Sequence, residues 1–151
     1  MDFLEVSGSP LPCVYVPGED DGYDYALTAI PGEALRFMYE KYGQRLLEAN
    51  VRSFLSVKGK GVNAGIQSTL RASPERFMAY NNGLVLVADE VKTAYLNNGS
   101  PGIQWLKGMQ IVNGGQTTAS IYFTKKRFPD TDISKVRVPA KIILLKETDP
   151  N

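Results

Sequence analysis

The spacing of apolar residues changes along the chain, and each spacing predicts a different kind of secondary structure. Residues 3–30 predict extended segments joined by loops, with strands around Cys13–Val16 and Tyr23–Ile30. From Pro31 the apolar residues recur at i, i+3, i+4 and i+7, which predicts an amphipathic helix with Gly43 as a candidate break. The apolar face of that helix comprises Leu35, Met38, Tyr39, Tyr42 and Leu46.

The middle of the chain predicts a hinge followed by two shorter helices. Residues 50–61 form the hinge, and Asn63 is placed to cap the first of these helices. Pro74 opens the second, with Phe77 and Met78 predicted on one face. This helix is predicted to stop where the side chains tolerate a left-handed backbone, at Asn81, Asn82 and Gly83.

The second half of the chain predicts strands on either side of one further helix. Leu84–Ala88 is apolar on both faces and therefore predicts a buried strand, and Asn98–Gly99 is a strong hairpin signal. Met109–Val112 predicts a strand that leads through two glycines into a helix. Val136–Leu145 predicts a last strand, and a proline near its start indicates an edge or a bulge there.

These elements predict a mixed α+β (α/β) fold, with a central mixed sheet and three to four helices. A length of 151 residues and a hydrophobic share of 43% suit one hydrophobic core, so we expect a single domain over residues 1–151. Within it, residues 1–35 form an acidic, β-rich segment. The chain stops at Pro150–Asn151 directly after a strand-like run, which indicates an excerpt of a longer protein.

Charge is unevenly distributed along the chain. The total is 17 Lys and Arg against 16 Asp and Glu, a net charge of +1. Residues 1–35 contain seven acids and no base, whereas residues 36–151 contain 17 bases and nine acids, so the two segments carry −7 and +8. The basic excess is consistent with an anionic partner, although spread-out charges more often solvate a surface.

Several classes of chemistry are excluded by residue types that the chain lacks. It contains no histidine, which excludes Ser-His-Asp triads, Cys–His pairs and HExxH zinc sites within it. Cys13 is the single cysteine and lies in an apolar strand, so we expect a buried, inert thiol and no multi-cysteine metal site. No acid cluster has EF-hand or nuclease spacing. We expect no metal, no cofactor and no catalytic residue, and the sequence favours a chain that is not itself an enzyme.

Cellular location follows from two further absences in the sequence. No apolar run approaches the roughly 18 residues that span a bilayer, and the chain does not open with a basic stretch followed by an apolar one. A single cysteine fits a reducing compartment. We therefore expect a cytoplasmic protein that makes no membrane contact.

The sharpest candidate site is the predicted strand–turn–helix at residues 109–124. Its two glycines allow a tight turn and the close approach of a ligand, and the unpaired N–H groups that begin a helix suit an anion such as phosphate. The alternative is an ordinary helix start capped by Asn113. The candidate ligand-binding residues here are Asn113, Gly114, Gly115, Gln116 and Thr117.

Four residues elsewhere could complete this site. Arg52 could supply the positive charge as a bidentate partner of phosphate, and Asn63, Asn81 and Asn82 could form a polar wall at the ends of elements. The alternatives are equally ordinary. Asparagine commonly caps helices and forms turns, and an arginine here could lie on the surface or form an ion pair.

Five motifs follow one another in an order that is more specific than any one of them. They are Asn50–Leu55, Val62–Ile66, Thr69–Leu70, Pro74–Phe77 with Tyr80–Gly83, and Gln110–Thr117. Together they resemble the AIPR (abortive infection phage resistance) family over residues 46–146. Residues 1–45 carry no matching motif.

The resemblance implies a bacterial, cytoplasmic protein of several hundred residues that takes part in phage defence. It also implies a nuclease-like region upstream and an Asn-rich segment downstream, neither of which has a match here. A looser analogy places residues 113–117 where the DGQHR/DndB group has Asp-Gly-Gln-His-Arg and where ParB-like and sulfiredoxin-like domains bind phosphate. The chain lacks the His and Arg of those motifs, so this analogy concerns the fold alone.

Two functions follow as the main hypotheses. A third, that the chain is itself a nuclease, is disfavoured by the lack of histidine and of an acid–acid–lysine cluster. In the first, the domain of an AIPR-like defence protein binds a phosphate-bearing ligand, a nucleotide or a nucleic acid, at the Asn-Gly-Gly-Gln-Thr motif. In the second, the domain is a non-enzymatic module that recognises a phage or host protein or forms a homo-oligomer, and its asparagines are folding devices.

Overall fold

The protein folds around one twisted sheet with helices packed on it. The computed structural model describes residues 1–18, 22–47, 64–80 and 83–145. The strands are β1 (Leu11–Pro17), β2 (Tyr23–Pro31), β3 (Leu84–Ala88), β4 (Glu90–Tyr95), β5 (Pro101–Lys107), β6 (Gln110–Asn113) and β7 (Arg137–Leu145). The α-helices are α1 (Phe3–Ser7), α2 (Gly32–Tyr42), α3 (Ala64–Ala72), α4 (Phe77–Tyr80) and α5 (Gly115–Arg127), with 3₁₀ turns at Gly43–Leu46 and Pro74–Arg76.

The seven strands form one mixed sheet in the order β4-β5-β1-β2-β7-β3-β6. The β3–β7 pair is parallel and the other strand pairs are antiparallel. The longest register joins β2 to β7, from Tyr23 opposite Leu145 to Pro31 opposite Arg137. The acidic first segment therefore supplies interior strands of the sheet. The predicted mixed α+β fold in a single domain is confirmed.

The two faces of the sheet differ because successive side chains on a strand point in opposite directions. In β7 the even-numbered residues are buried, and the odd-numbered residues are exposed or half-buried. All the described helices contribute buried side chains to the core on the even-numbered side. The other side, here called the open face, carries one cross-strand row of Val14, Leu27, Lys141, Val85 and Asn113.

Helix α5 lies at the centre of the helical layer, packed against α2 and α3. Tyr122 and Phe123 on α5 stack with Tyr39 on α2, with ring centroids 4.9 and 5.7 Å from the Tyr39 ring. Edge-to-face and tilted aromatic pairs at such distances add to the stabilisation from apolar burial. The helical spacing of Tyr122 and Phe123 therefore serves core packing.

Most predicted elements are confirmed. Leu84–Ala88 is a buried strand between β6 and β7, and the hairpin at Asn98–Gly99 joins β4 to β5. Gly43, at φ 58°, ends α2, so the predicted helix is divided there. Pro139 lies where β7 pairs with β2 but before its register with β3 begins at Ala140, which agrees with an edge at the start of this strand.

Two local predictions were wrong. Residues 3–7 form a helix, because the Asp2 side chain accepts a hydrogen bond from the Glu5 N–H (3.2 Å) and caps it while Phe3 enters the core. Met78 does not share the buried face of Phe77: it is 50% exposed, since adjacent helical residues are about 100° apart around the axis. The hinge at residues 50–61 and the helix stop at Asn81–Asn82 lie outside the described residues.

Candidate functional site

The candidate site is the junction where β6 ends and α5 begins. Asn113 is the last residue of β6 and pairs with Val85 of β3. Gly114 follows with φ 88° and ψ 13°, a left-handed conformation that glycine adopts without steric strain. The chain then enters α5 at Gly115, and the Thr117 N–H donates a hydrogen bond to the Gly114 carbonyl (3.0 Å). The predicted strand–turn–helix is confirmed.

The alternative interpretation, in which Asn113 caps this helix, was wrong. Gly114 occupies the N-cap position, and within the described ranges no side chain forms a cap hydrogen bond there. Asn113 is held in the strand ladder, so its exposed side chain projects from the open face and does not turn back over the helix. The side-chain amide has no hydrogen-bond partner among the described residues. The helix start is therefore left without the side-chain acceptor that the ordinary interpretation required.

Gly114 is required by packing as well as by its backbone angle. A Cβ atom added there would lie 2.7 Å from Leu84 Cδ2 and 2.8 Å from the Gly83 carbonyl oxygen. Gly83 in turn has no room for a Cβ, which would clash with the Pro139 carbonyl oxygen of β7. The sequence had suggested that the glycines admit a ligand. The close packing of Gly114 against β3 is sufficient to explain why a glycine is needed at this position.

The first turn of α5 retains the capacity to bind an anion. In the part of the chain that the structure describes, no acceptor pairs with the N–H groups of Gly115 and Gln116. The positive end of the helix dipole lies at the same place, and Gln116 is half-buried with its side chain at the rim. At the other end, Lys125 donates hydrogen bonds to the carbonyls of Pro129 (2.8 Å) and Thr131 (2.6 Å), which satisfies carbonyls just beyond the helix.

Polar side chains continue from the junction into the interior. Thr117 and Thr118 are buried, and the Thr118 hydroxyl has no hydrogen-bond partner among the residues that the structure describes. Thr118 lies four residues after Gly114, on the same side of the helix. An unpaired buried hydroxyl is destabilising by about 1–3 kcal/mol.

Two described residues that adjoin predicted site segments in the sequence, Leu47 and Gly83, lie at this junction. Leu47 forms a parallel bridge with Ile111 of β6, and the chain leads from Leu47 towards Arg52. Gly83, which follows Asn82 in the chain, packs against Gly114. Arg52, Asn63, Asn81 and Asn82 themselves lie outside the described residues.

Sequence reasoning missed Lys141, an exposed cation on the same face as Asn113. Both residues flank Val85, Lys141 on β7 and Asn113 on β6, which separates their backbones by about two strand spacings, roughly 10 Å. No described carboxylate lies within ion-pair distance of Lys141. The available signal was the alternation along β7, which places Lys141 on the opposite side from the buried Ala140 and Ile142.

Other reactive groups lie elsewhere in the core. Cys13 is buried, as predicted, and burial raises the pKa of its thiol. Burial also raises the pKa of Tyr15, whose hydroxyl donates a hydrogen bond to the Gly102 carbonyl (3.0 Å). Among the described residues, no three Cys, Asp or Glu side chains form a cluster that could hold a metal ion. No helix in the described ranges is long and apolar enough to cross a membrane.

Comparison with protein families decides what kind of domain carries this junction. The family model described as AIPR protein matches residues 47–151, which is more than half of the chain. The chain belongs to the AIPR family. The search of curated proteins and the search of solved structures each returned no match.

Membership of the AIPR family indicates a domain of an abortive-infection, phage-defence protein. The matched residues include the whole β6–α5 junction and five of the seven strands. They do not include β1 and β2, although β2 pairs with β7 over nine residues. In this AIPR protein the unmatched first segment thus completes the sheet that presents the junction.

Proposed function

We propose that this AIPR domain acts in phage defence, in the cytoplasm, by binding a phosphate-bearing ligand at the β6–α5 junction. The ligand is a nucleotide or a nucleic acid. The observation that carries the proposal is the start of α5, where no side chain of the described residues caps the helix. Helix starts with free N–H groups bind phosphate through those donors and through the helix dipole.

Charge near the junction supports the same ligand class. Lys141 stands on the face to which Asn113 belongs, and it has no carboxylate partner among the described residues. Arg52 is proposed as a second cation, on the segment that follows Leu47. Asn63, Asn81 and Asn82 are proposed as the polar wall. Binding and orientation are the roles assigned to these residues, and the proposal includes no catalytic step.

Titration of the full-length protein with nucleotides and with short DNA and RNA tests this proposal. Gln116→Ala and Asn113→Ala should weaken binding at least tenfold, whereas Asn97→Ala, an asparagine in the β4–β5 hairpin, should leave binding unchanged. Because Asn113 caps no helix, Asn113→Ala should alter the free energy of unfolding by less than about 0.5 kcal/mol. The absence of saturable binding by the wild type would overturn the proposal.

A protein-interaction or oligomerisation module is the second candidate function. The observation in its favour is the open face, where large apolar side chains are exposed to solvent. Exposed apolar patches commonly mark contacts with other proteins. If the junction variants lose stability rather than ligand binding, the motif residues are folding devices and this second function is favoured.

A further inference from the structure

The open face carries more of the exposed large apolar side chains than the rest of the described molecule. Nine large apolar side chains among the described residues are exposed, and five of them project from this face. Val14 and Leu27, neighbours in the row that contains Lys141, are 61% and 46% exposed. Scattered apolar residues are normal on a surface, but a contiguous group of them indicates a contact with another macromolecule.

The charged residues that β7 places on this face have one sign. Arg137 and Lys141 both project from the odd-numbered side of β7. The one charged residue in the described strands β1, β2 and β3 is Asp24, which pairs with Leu144 and lies on the even-numbered side. The two basic residues are four positions apart, about 13 Å along the strand. A partner should therefore present apolar side chains between two carboxylates at a similar spacing.

The same chain carries such a surface on α1 and α2. An open groove of about 760 Å³ is lined by Glu5, Val6, Glu33, Arg36, Phe37 and Glu40. Glu33 and Glu40 are seven residues apart on α2, about 10.5 Å along the helix axis, and the exposed Phe37 lies between them. Glu33 pairs with Arg36 at 3.3 Å, an exposed ion pair of little strength.

Glu40 is the carboxylate on α2 that remains available for an ion pair with a partner. No described cation lies within ion-pair distance of it, just as no described carboxylate lies within that distance of Lys141. The two surfaces cannot meet within one molecule, because α2 packs on the buried side of the sheet through Leu35 and Met38. The two surfaces are complementary in charge, spacing and apolar content, and they can contact each other only when they belong to different molecules.

We infer that the open face docks onto the α1–α2 groove of a second copy of this chain. Lys141 pairs with Glu40 of the other copy, and Phe37 packs against the exposed apolar side chains around Leu27. The contact joins two different surfaces, so it is head-to-tail and adds copies in succession rather than closing as a two-fold dimer. The association requires no ligand, but Lys141 also lies near the proposed ligand site at the β6–α5 junction. Association is therefore measured in the absence of nucleotide and nucleic acid, so that its failure is distinct from a failure of ligand binding.

Sedimentation velocity over a range of protein concentrations tests this inference. For the wild type at low salt, the average mass should rise with concentration beyond that of a dimer, and added salt should reduce it. Lys141→Glu and Glu40→Lys should each weaken association about tenfold or more, the factor that corresponds to roughly 1.4 kcal/mol of lost pairing. Lys135→Glu makes the same charge change at an exposed lysine outside the open face and should have no effect.

Mixing the two variants provides the sharpest measurement. Lys141→Glu and Glu40→Lys are each defective alone, but every contact in their equimolar mixture can again join opposite charges. The mixture should therefore recover wild-type association, with circular dichroism confirming that both variants are folded. A wild type that stays monomeric to near-millimolar concentration, growth that stops at a dimer, or a mixture that fails to recover would each overturn the inference.

Discussion

Gly114→Ala tests whether the β6–α5 junction is held rigidly against β3. The substitution acts through two separable effects. Gly114 has φ 88°, and forcing an alanine into the left-handed region is destabilising by about 1 kcal/mol. The added Cβ would also lie 2.8 Å from the Gly83 carbonyl oxygen and 2.7 Å from Leu84 Cδ2. Overpacking of a close contact is destabilising by about 1–3 kcal/mol.

The expected total for Gly114→Ala is a loss of about 2–4 kcal/mol in the free energy of unfolding, the sum of the backbone and overpacking effects. Gly99→Ala is the matched control, since Gly99 has φ 84° and an added Cβ there would meet no atom within 4 Å. The control should lose about 1 kcal/mol, the backbone effect alone. The difference between the two variants isolates the contact with Gly83 and Leu84.

Urea unfolding monitored by circular dichroism measures both losses. Each kcal/mol should also lower Tm by about 2–4 °C for a chain of this size. If Gly114→Ala is no more destabilising than Gly99→Ala, the junction can move away from β3 without penalty. The steric explanation of Gly114 would then be refuted, and close approach of a ligand would again be the better account of this glycine.

Three further outcomes follow from buried or hydrogen-bonded groups. Thr118→Val removes an unpaired buried hydroxyl and should raise the free energy of unfolding by about 1 kcal/mol in urea titrations, whereas a loss would reveal a hidden partner. Because burial raises the pKa of the Cys13 thiol, a thiol-reactive probe at neutral pH should label Cys13 rapidly only after denaturant is added; fast labelling of the native protein would contradict this. The Ser134 backbone N–H donates a hydrogen bond to the Asp132 carboxylate (2.9 Å) and lowers the pKa of that carboxyl. This hydrogen bond therefore stabilises the folded protein fully above the ordinary pKa of 3.8, and the stabilisation is lost as pH falls through the lowered pKa of the folded state. Asp132→Asn should flatten the acid limb of stability against pH, and an unchanged limb would show that the pKa is not shifted.

The local pattern of the sequence predicted those elements whose signals lie within one segment. Leu84–Ala88 is apolar on both faces, which is sufficient for a buried strand, and the two glycines after Val112 are sufficient for a tight turn into α5. The pattern failed at α1, where a cap at Asp2 outweighed the expectation of a strand. It also failed at Met78, where one residue of a short helix had been assigned to the wrong face.

The sequence predicted the location of the junction but not which distant residues lie near it. The motif at residues 113–117 is continuous in the chain, so sequence alone located the junction. The alternative in which Asn113 caps the helix was wrong because strand pairing with Val85, a residue 28 positions earlier, determines where its side chain points. Lys141 was missed because it lies near the junction only by way of β3, where Val85 pairs with both Lys141 and Asn113. The residues next to Lys141 in the sequence do not reveal this strand pairing.

The sequence by itself determined the family, the chemistry that is excluded and the location of the strand–turn–helix. Those properties depend on residue identity and on spacing within a segment. Both can be read from the sequence without knowledge of long-range contacts. Tertiary structure decided which groups share a surface. The parallel pairing of β3 with β7 places Val85 beside Lys141, and the pairing of β2 with β1 and β7 places Val14, Leu27 and Lys141 in one row. Pairings between distant segments set both outcomes, because each strand can bury its apolar side only when its neighbours are in place.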